Sequence, residues 1–84
     1  MNYRVVIHRD AEKEFARLPV GVRKRLQTKI LILESHPRPP GSKKLQTSEN
    51  HRIRAGDYRV IYSIDDAAHR VFVLSVGHRK DIYR

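Results

Sequence analysis

Arg52, Arg54 and Arg59 lie close together in the chain, on either side of a Gly56-Asp57 pair. A guanidinium presents a planar fork of N–H donors that fits two phosphate oxygens, so arginines at alternating positions suit the holding of a phosphodiester. A second group, His78, Arg79, Lys80 and Tyr83, combines an imidazole, two cations and a phenol. Arg79 and Lys80 would depress the pKa of His78 and leave a neutral imidazole able to accept a proton. Other combinations carry less chemistry. Ser75, His78 and Asp81 are the residue types of a hydrolase triad, but strand alternation sends Ser75 and His78 to opposite faces. The five histidines show no metal-ligand spacing and there is no cysteine, so no metal site is expected. No glycine-rich loop precedes a helix, which leaves nucleotide hydrolysis unsupported. Lys43-Lys44 is too short for a localisation signal, and Arg23, Lys24 and Arg25 read as a solvated helix face.

The whole chain supports the phosphate reading. It has 84 residues, with 18 Lys and Arg against 9 Asp and Glu, a net charge of +9, and 12 of the cations are Arg. A polyanionic partner follows as the first expectation. The charge is spread over both halves and so belongs to the fold, not to a basic tail. The plain alternative is a surface charged for solubility. The length allows one modest core, so residues 1–84 are expected to form a single domain. No apolar stretch approaches membrane length and the N-terminus lacks an export signal, which predicts a cytoplasmic protein. Without cysteine, packing alone must hold the fold.

Two helices and four strands are expected to position these residues. Tyr3, Val5 and Ile7 alternate with Arg4, Val6 and His8 as a first strand. Asp10 reads as the N-cap of a helix with Glu12 and Glu14 in its first turn and Ala11, Phe15 and Leu18 on its apolar face, ended by Pro19. A second helix from near Val20 to about Ser35 buries Val22, Leu26, Ile30 and Leu33. Pro37, Pro39, Pro40 and Gly41 then force an exposed connection over 36–42. Beyond Lys43 the period changes to two, with strands at about 50–55, 57–64 and 70–76. The order β-α-α-β-β-β predicts an α+β domain: a largely antiparallel four-stranded sheet, an N-terminal helical hairpin on one face, and a short C-terminal turn or helix.

Gly at the first central position of a two-residue loop favours a type II′ turn closed by Ala55 and Tyr58. Arg54 then faces Arg59, Arg52 faces Ile61, Ile53 faces Val60 and His51 faces Tyr62. Ile53, Val60, Tyr62 and Ile64 lie under the helices, while Arg52, Arg54 and Arg59 share the open face. Like charges directly opposed cost stability, which an anion between them relieves. The simpler reading is a polar solvent face. The strand Val71 to Val76 is apolar on both faces, which predicts a central position beside the first strand. Pairing through a five-residue loop would set Asp57 near Gly77 and bring Arg79 and Tyr83 towards Arg59. His51, opposite Tyr62, reads as a half-buried structural histidine.

Lys43-Lys44-Leu45, Arg52-Ile53-Arg54, Asp57-Tyr58-Arg59-Val60-Ile61-Tyr62 and Ser75-Val76-Gly77-His78-Arg79-Lys80-Asp81-Ile82-Tyr83 together resemble the RelE branch of the RelE/ParE superfamily of type II toxins. The resemblance spans essentially the whole chain. It implies a compact ribonuclease that enters the ribosomal A site, cuts mRNA there, and is held inactive by a cognate antitoxin. Arg59, Arg79 and Tyr83 match the family's catalytic positions. Arg52 and Arg54 match its second-strand basic residues, with Lys44 and Lys80 as further RNA contacts. Both second-strand cations are Arg, so no ammonium stands there to act as base; His78 is the expected proton acceptor, with Glu49 as a weaker one. No cofactor or metal is implied, since the 2′-hydroxyl of the RNA is the nucleophile. The implied partners are the antitoxin, the 70S ribosome and mRNA, and no membrane. Two other readings use the same fold: a ParE-like gyrase-inhibiting toxin, and a non-catalytic RNA-binding module whose binding is uniform and salt-dependent. The C-terminal motif favours the RelE reading over the ParE-like one.

Overall fold

The computed structural model describes residues 2–46 and 48–78. Its elements are β1 (Arg4–Ile7), α1 (Arg9–Ala16), α2 (Val20–Ile32), β2 (Lys43–Lys44), β3 (His51–Ala55), β4 (Tyr58–Asp65) and β5 (Arg70–His78). The sheet has five strands in the order β1-β5-β4-β3-β2, one more than expected. The addition, β2, is two residues long, too short for alternation to reveal. β1 runs parallel to β5 and the remaining pairs are antiparallel. β5 is therefore central between β1 and β4, as its apolar character on both faces predicts.

The helices begin and end by identifiable means. The N-cap of α1 is His8, whose Nδ1 accepts from the Asp10 backbone N–H at 3.1 Å. Asp10, expected in that role, lies two residues further in, in the first turn, and contributes its charge to the helix N-terminus instead. Pro19 separates the helices and occupies the N-cap of α2 with extended backbone. α2 closes at Ile32, and Leu33, Glu34 and Ser35 follow as i→i−3 turns onto Ile30, Leu31 and Ile32, so helix-like backbone does extend to the expected end.

Ala11, Leu26, Ile30 and Leu33 from the helices meet Ile53, Val60, Tyr62, Val71, Val73 and Val76 from the sheet, and all are buried. Burying one such aliphatic side chain contributes about 1.5–3 kcal/mol, so Leu26 on α2 and Leu33 at its C-cap, both fully buried, fix that helix to the sheet. The proline-rich connection is tied down at two points. Tyr62 Oη donates to the Pro37 carbonyl at 2.8 Å, and Arg38 donates both Nη atoms to Asp66 at 3.2 and 2.9 Å.

The β3–β4 hairpin has the expected register, from His51 opposite Tyr62 to Ala55 opposite Tyr58. Gly56 has φ +62° and Asp57 has no positive φ, the combination of a type II′ turn. The β4–β5 register differs from expectation by two residues. Arg59, not Asp57, stands opposite Gly77, and Tyr58 stands opposite His78. The connection is four residues long, from Asp66 to His69, and a bulge shifts the register between Ile61 and Tyr62. His69 at φ +53° makes the tight reversal possible.

Candidate phosphate-binding site

Arg54 and Arg59 are directly opposed across β3 and β4, and Arg52 lies two residues along from Arg54 on the same face. Directly opposed side chains have Cβ atoms about 5 Å apart, so two guanidiniums share one small volume. Arg54 is exposed, whereas Arg52 and Arg59 are only 8% and 5% exposed. This corrects the expectation of an open, solvated cationic face. Ile61 and Phe72 lie on the same face by alternation, and arginine stems carry methylene groups that cover such apolar surface. Burying a guanidinium is costly unless its N–H groups find acceptors. Arg52 Nη1 is buried with no hydrogen-bond partner among the described residues. An anionic oxygen beside it would supply one.

The strand pairing also sorts the lysines. Lys43 stands opposite Arg52 and shares the arginine face; Lys44 stands opposite His51. Lys44 Nζ pairs with Glu49 Oε2 at 3.0 Å, both exposed, which engages the lysine and the carboxylate of the two sequence candidates with each other. Lys43 is the residue that sequence reading missed. Only the register of a two-residue strand distinguishes it from its neighbour.

His78 stands opposite Tyr58 and meets it edge-on, with ring centroids 5.4 Å apart and an interplanar angle of 82°. Tyr58 packs against the core, so this is the helix-side face, and Arg59 with its partner Gly77 belongs to the other. This register sets the His78 ring on the face opposite to that of Arg59. Arg79, Lys80 and Tyr83 lie outside the described residues. Ser75, the other member of the discarded triad, donates its Oγ–H to Glu14 Oε1 at 3.1 Å, and the same oxygen accepts the Val76 N–H at 3.1 Å. Among the described residues no group of three or more His, Cys, Asp or Glu is placed to hold a metal ion.

Behind the site, His51 stacks on Tyr62 with centroids 5.7 Å apart. Burial, followed by the charges of Arg38 and Lys44, lowers the His51 pKa, and burial raises that of Tyr62. The pair supports the floor of the sheet, as the half-buried structural reading expects. At the far end, hydrogen bonding from Arg38 and then from Tyr3 holds the Asp66 carboxyl down at about 2.

A family model for the ParE toxin of type II toxin-antitoxin systems matches residues 5–83. The chain belongs to this toxin family. The toxin is 33% identical to the RelE chain of the archaeal RelE–RelB complex from Pyrococcus horikoshii, with a TM-score of 0.84 over 96% of this chain and 99% of that one. It is 29% identical to a chain of the intact Escherichia coli RelBE toxin-antitoxin complex, with a TM-score of 0.80 over 90% and 95%. A Mycobacterium tuberculosis toxin RelE is 50% identical over 34 residues, a stretch covering 40% of the toxin and 35% of that relative. The expected RelE/ParE superfamily and α+β fold both hold for the toxin. No helix among its described residues is long and apolar enough to cross a membrane.

Proposed function

We propose that the toxin is a ribosome-dependent endoribonuclease that cleaves mRNA in the A site. The observation that carries this reading is the Arg52, Arg54 and Arg59 cluster, with a buried, unpartnered Arg52 Nη1 in the middle of a sheet face. Such a cluster can bind a phosphodiester and stabilise the charge that develops on it as the adjacent 2′-hydroxyl attacks phosphorus and the 5′-oxygen leaves. Arg59 is assigned the scissile phosphate. Arg52, Arg54 and Lys43 hold the flanking backbone. Arg79 and Tyr83, which match the RelE motif, are assigned to the same phosphate and to the nucleotide, with Lys80 beside them. His78, the motif's candidate proton acceptor, stands against Tyr58 on the helix-side face, so the proposal gives it no direct part in the cleavage.

The two solved relatives compared above are complexes with RelB antitoxins, and we assign the toxin a cognate antitoxin as its inhibitor. Primer extension on a defined mRNA, with and without programmed 70S ribosomes, tests the activity. Cuts within A-site codons that require ribosomes and disappear in Arg59→Ala and Arg79→Ala support it. Intact mRNA with folded protein refutes it and turns the question to gyrase inhibition, the activity implied by a ParE-like reading.

A further inference from the structure

Helix α2 contains four cations, Arg23, Lys24, Arg25 and Lys29, and no acidic residue. Arg25 and Lys29 are four apart and so lie on one helix face, a like-charge arrangement that opposes helix stability without a counter-charge. The fold gives this pair a specific setting. A hollow of about 400 Å³ is lined by Arg25, Thr28, Lys29, Arg54, Ala55 and Gly56. It adjoins a second of about 360 Å³, floored by Ile53 and Pro40, which shares Lys29 and Arg54. Together they form one groove between α2 and the edge of β3. The Arg25 guanidinium lies close over the turn, 3.7 Å from where a Cβ on Gly56 would stand.

The groove is supplied with donors that nothing else uses. Arg25, Lys29 and Arg54 form no ion pair with any described residue. β2 pairs only with His51 and Arg52, so β3 is an open edge from Ile53 onwards. In a hairpin closed by the Ala55–Tyr58 pair, Ala55 and Ile53 direct their backbone groups towards β4 and Arg54 directs its own outwards. Arg54 thus offers a main-chain N–H at the β3 edge beside the hollow that the two α2 cations line, while its side chain belongs to the arginine face. The only side-chain hydroxyl lining the hollow, that of Thr28, already donates to the Lys24 carbonyl at 3.1 Å. A guanidinium, an ammonium and an outward main-chain N–H around one hollow suit a phosphodiester, whose charge is fixed on the chain, better than carboxylates carried on flexible stems. Arg54, at the open β3 edge, also faces Arg59 across the hairpin, so a strand that leaves the groove round this edge reaches the cleavage site proposed above.

We propose that the α2–β3 groove is a second RNA-binding site, in which Arg25, Lys29 and the Arg54 main-chain N–H hold a backbone phosphate flanking the one at Arg59. The identity of the ligand as RNA rests on the endoribonuclease reading; the anion-binding groove itself does not. The test is fluorescence anisotropy of a labelled 12-nucleotide 2′-O-methyl RNA, which cannot be cut, titrated across a range of salt. Arg25→Gln/Lys29→Gln is compared with Arg4→Gln/Arg70→Gln, which removes equal charge from exposed positions paired on β1 and β5. The α2 variant is expected to lower the slope of log K against log salt by about 1.4 and to weaken binding about 25-fold at 0.1 M salt, the control less than 3-fold. Equal weakening of both, or no change in the α2 variant, overturns the proposal. So does a poly-glutamate 12-mer that binds as tightly as the RNA and is lost more completely in the α2 variant, because the groove then docks an acidic protein segment. Absence of ribosomal cleavage by the unaltered toxin would refute the endoribonuclease reading while leaving the anisotropy result to judge the groove.

Discussion

Arg54 and Arg59 oppose each other directly on β3 and β4, two positive charges at a pairing position where opposite charges would stabilise the sheet. The arrangement costs the folded state roughly 0.2–1 kcal/mol, and retaining such a pair makes sense where an anion binds between its members. Replacing Arg54 by Thr is expected to raise Tm by a few degrees. Adding a polyanion such as heparin should raise the Tm of the unaltered protein more than that of Arg54→Thr. A variant that melts lower, or responds equally to heparin, would show that the facing of these two guanidiniums does not limit stability.

Glu14 leaves its helix to serve the sheet. β1 ends at Ile7, and the Glu14 carboxylate takes the Val76 N–H and the Ser75 hydroxyl on the β5 edge beyond it. Glu14→Ala should cost about 1–3 kcal/mol and accelerate amide exchange at Val76, because a partly buried donor loses its acceptor. Glu14→Gln keeps a carbonyl oxygen there and should restore most of the protection. Unchanged exchange at Val76 in the alanine variant would remove this role.

Tyr62 is fully buried, yet its hydroxyl reaches the Pro37 carbonyl and holds the proline-rich connection against the sheet. Tyr62→Phe preserves the packing and deletes that bond, for an expected loss of about 1 kcal/mol and a Tm lower by about 4–8 °C. Thermal melting monitored by circular dichroism provides the check; an unchanged Tm would mean that the connection is held by Arg38 alone.

Two groups make stability depend on pH, over different ranges. The His51 pKa is lowered in the folded state, so below its ordinary value of 6.5 the unfolded chain binds the proton first and stability falls as pH drops. His51→Phe, which can still stack on Tyr62, should remove this loss between pH 7 and 5. Asp66 is depressed from 3.8 to about 2, so its contribution is fully present above its unfolded value and disappears as pH falls through about 2. Asp66→Asn should therefore melt below the unaltered protein at pH 6 and approach it near pH 2. Parallel Tm-against-pH curves for all three proteins would contradict both assignments.

His78→Gln offers a sharper test of the site. With the His78 ring on the Tyr58 side of the sheet, the substitution should reduce A-site cleavage less than 10-fold, against at least 100-fold for Arg59→Ala, the scale expected for loss of a charge-stabilising donor. Equal losses in single-turnover cleavage would restore His78 as proton acceptor.

The parts of this architecture legible in the sequence are those governed by local rules. Gly56-Asp57 sets a two-residue turn, and from it the facing of Arg54 and Arg59, and of His51 and Tyr62, follows by counting. The apolar character of Val71 to Val76 on both faces gives the central place of β5. What escaped depends on contacts distant in sequence or on a single inserted residue. The bulge near Ile61 moves Gly77 opposite Arg59 and turns His78 away from it. Two residues of β2 decide that Lys43, and not Lys44, joins the arginine face. Glu14 reads as a helix-stabilising acid until the end of β1 exposes the β5 edge beside it. The burial of Arg52 and Arg59 has no signature in an alternating pattern, which distinguishes faces but not what covers them.

The central position of β5 also bears on how the toxin is made. Both β1 and β4 use it as their neighbour, and β1 cannot pair with it until more than sixty further residues have been added. A nascent chain halted before Arg70 has two helices and a hairpin but no strand to join them, and Arg59 has no Gly77 beside it. Synthesis therefore yields no assembled arginine site until its last described strand has emerged. Ribosome-bound chains stalled at His69 should accordingly be digested by protease at concentrations that spare the finished protein.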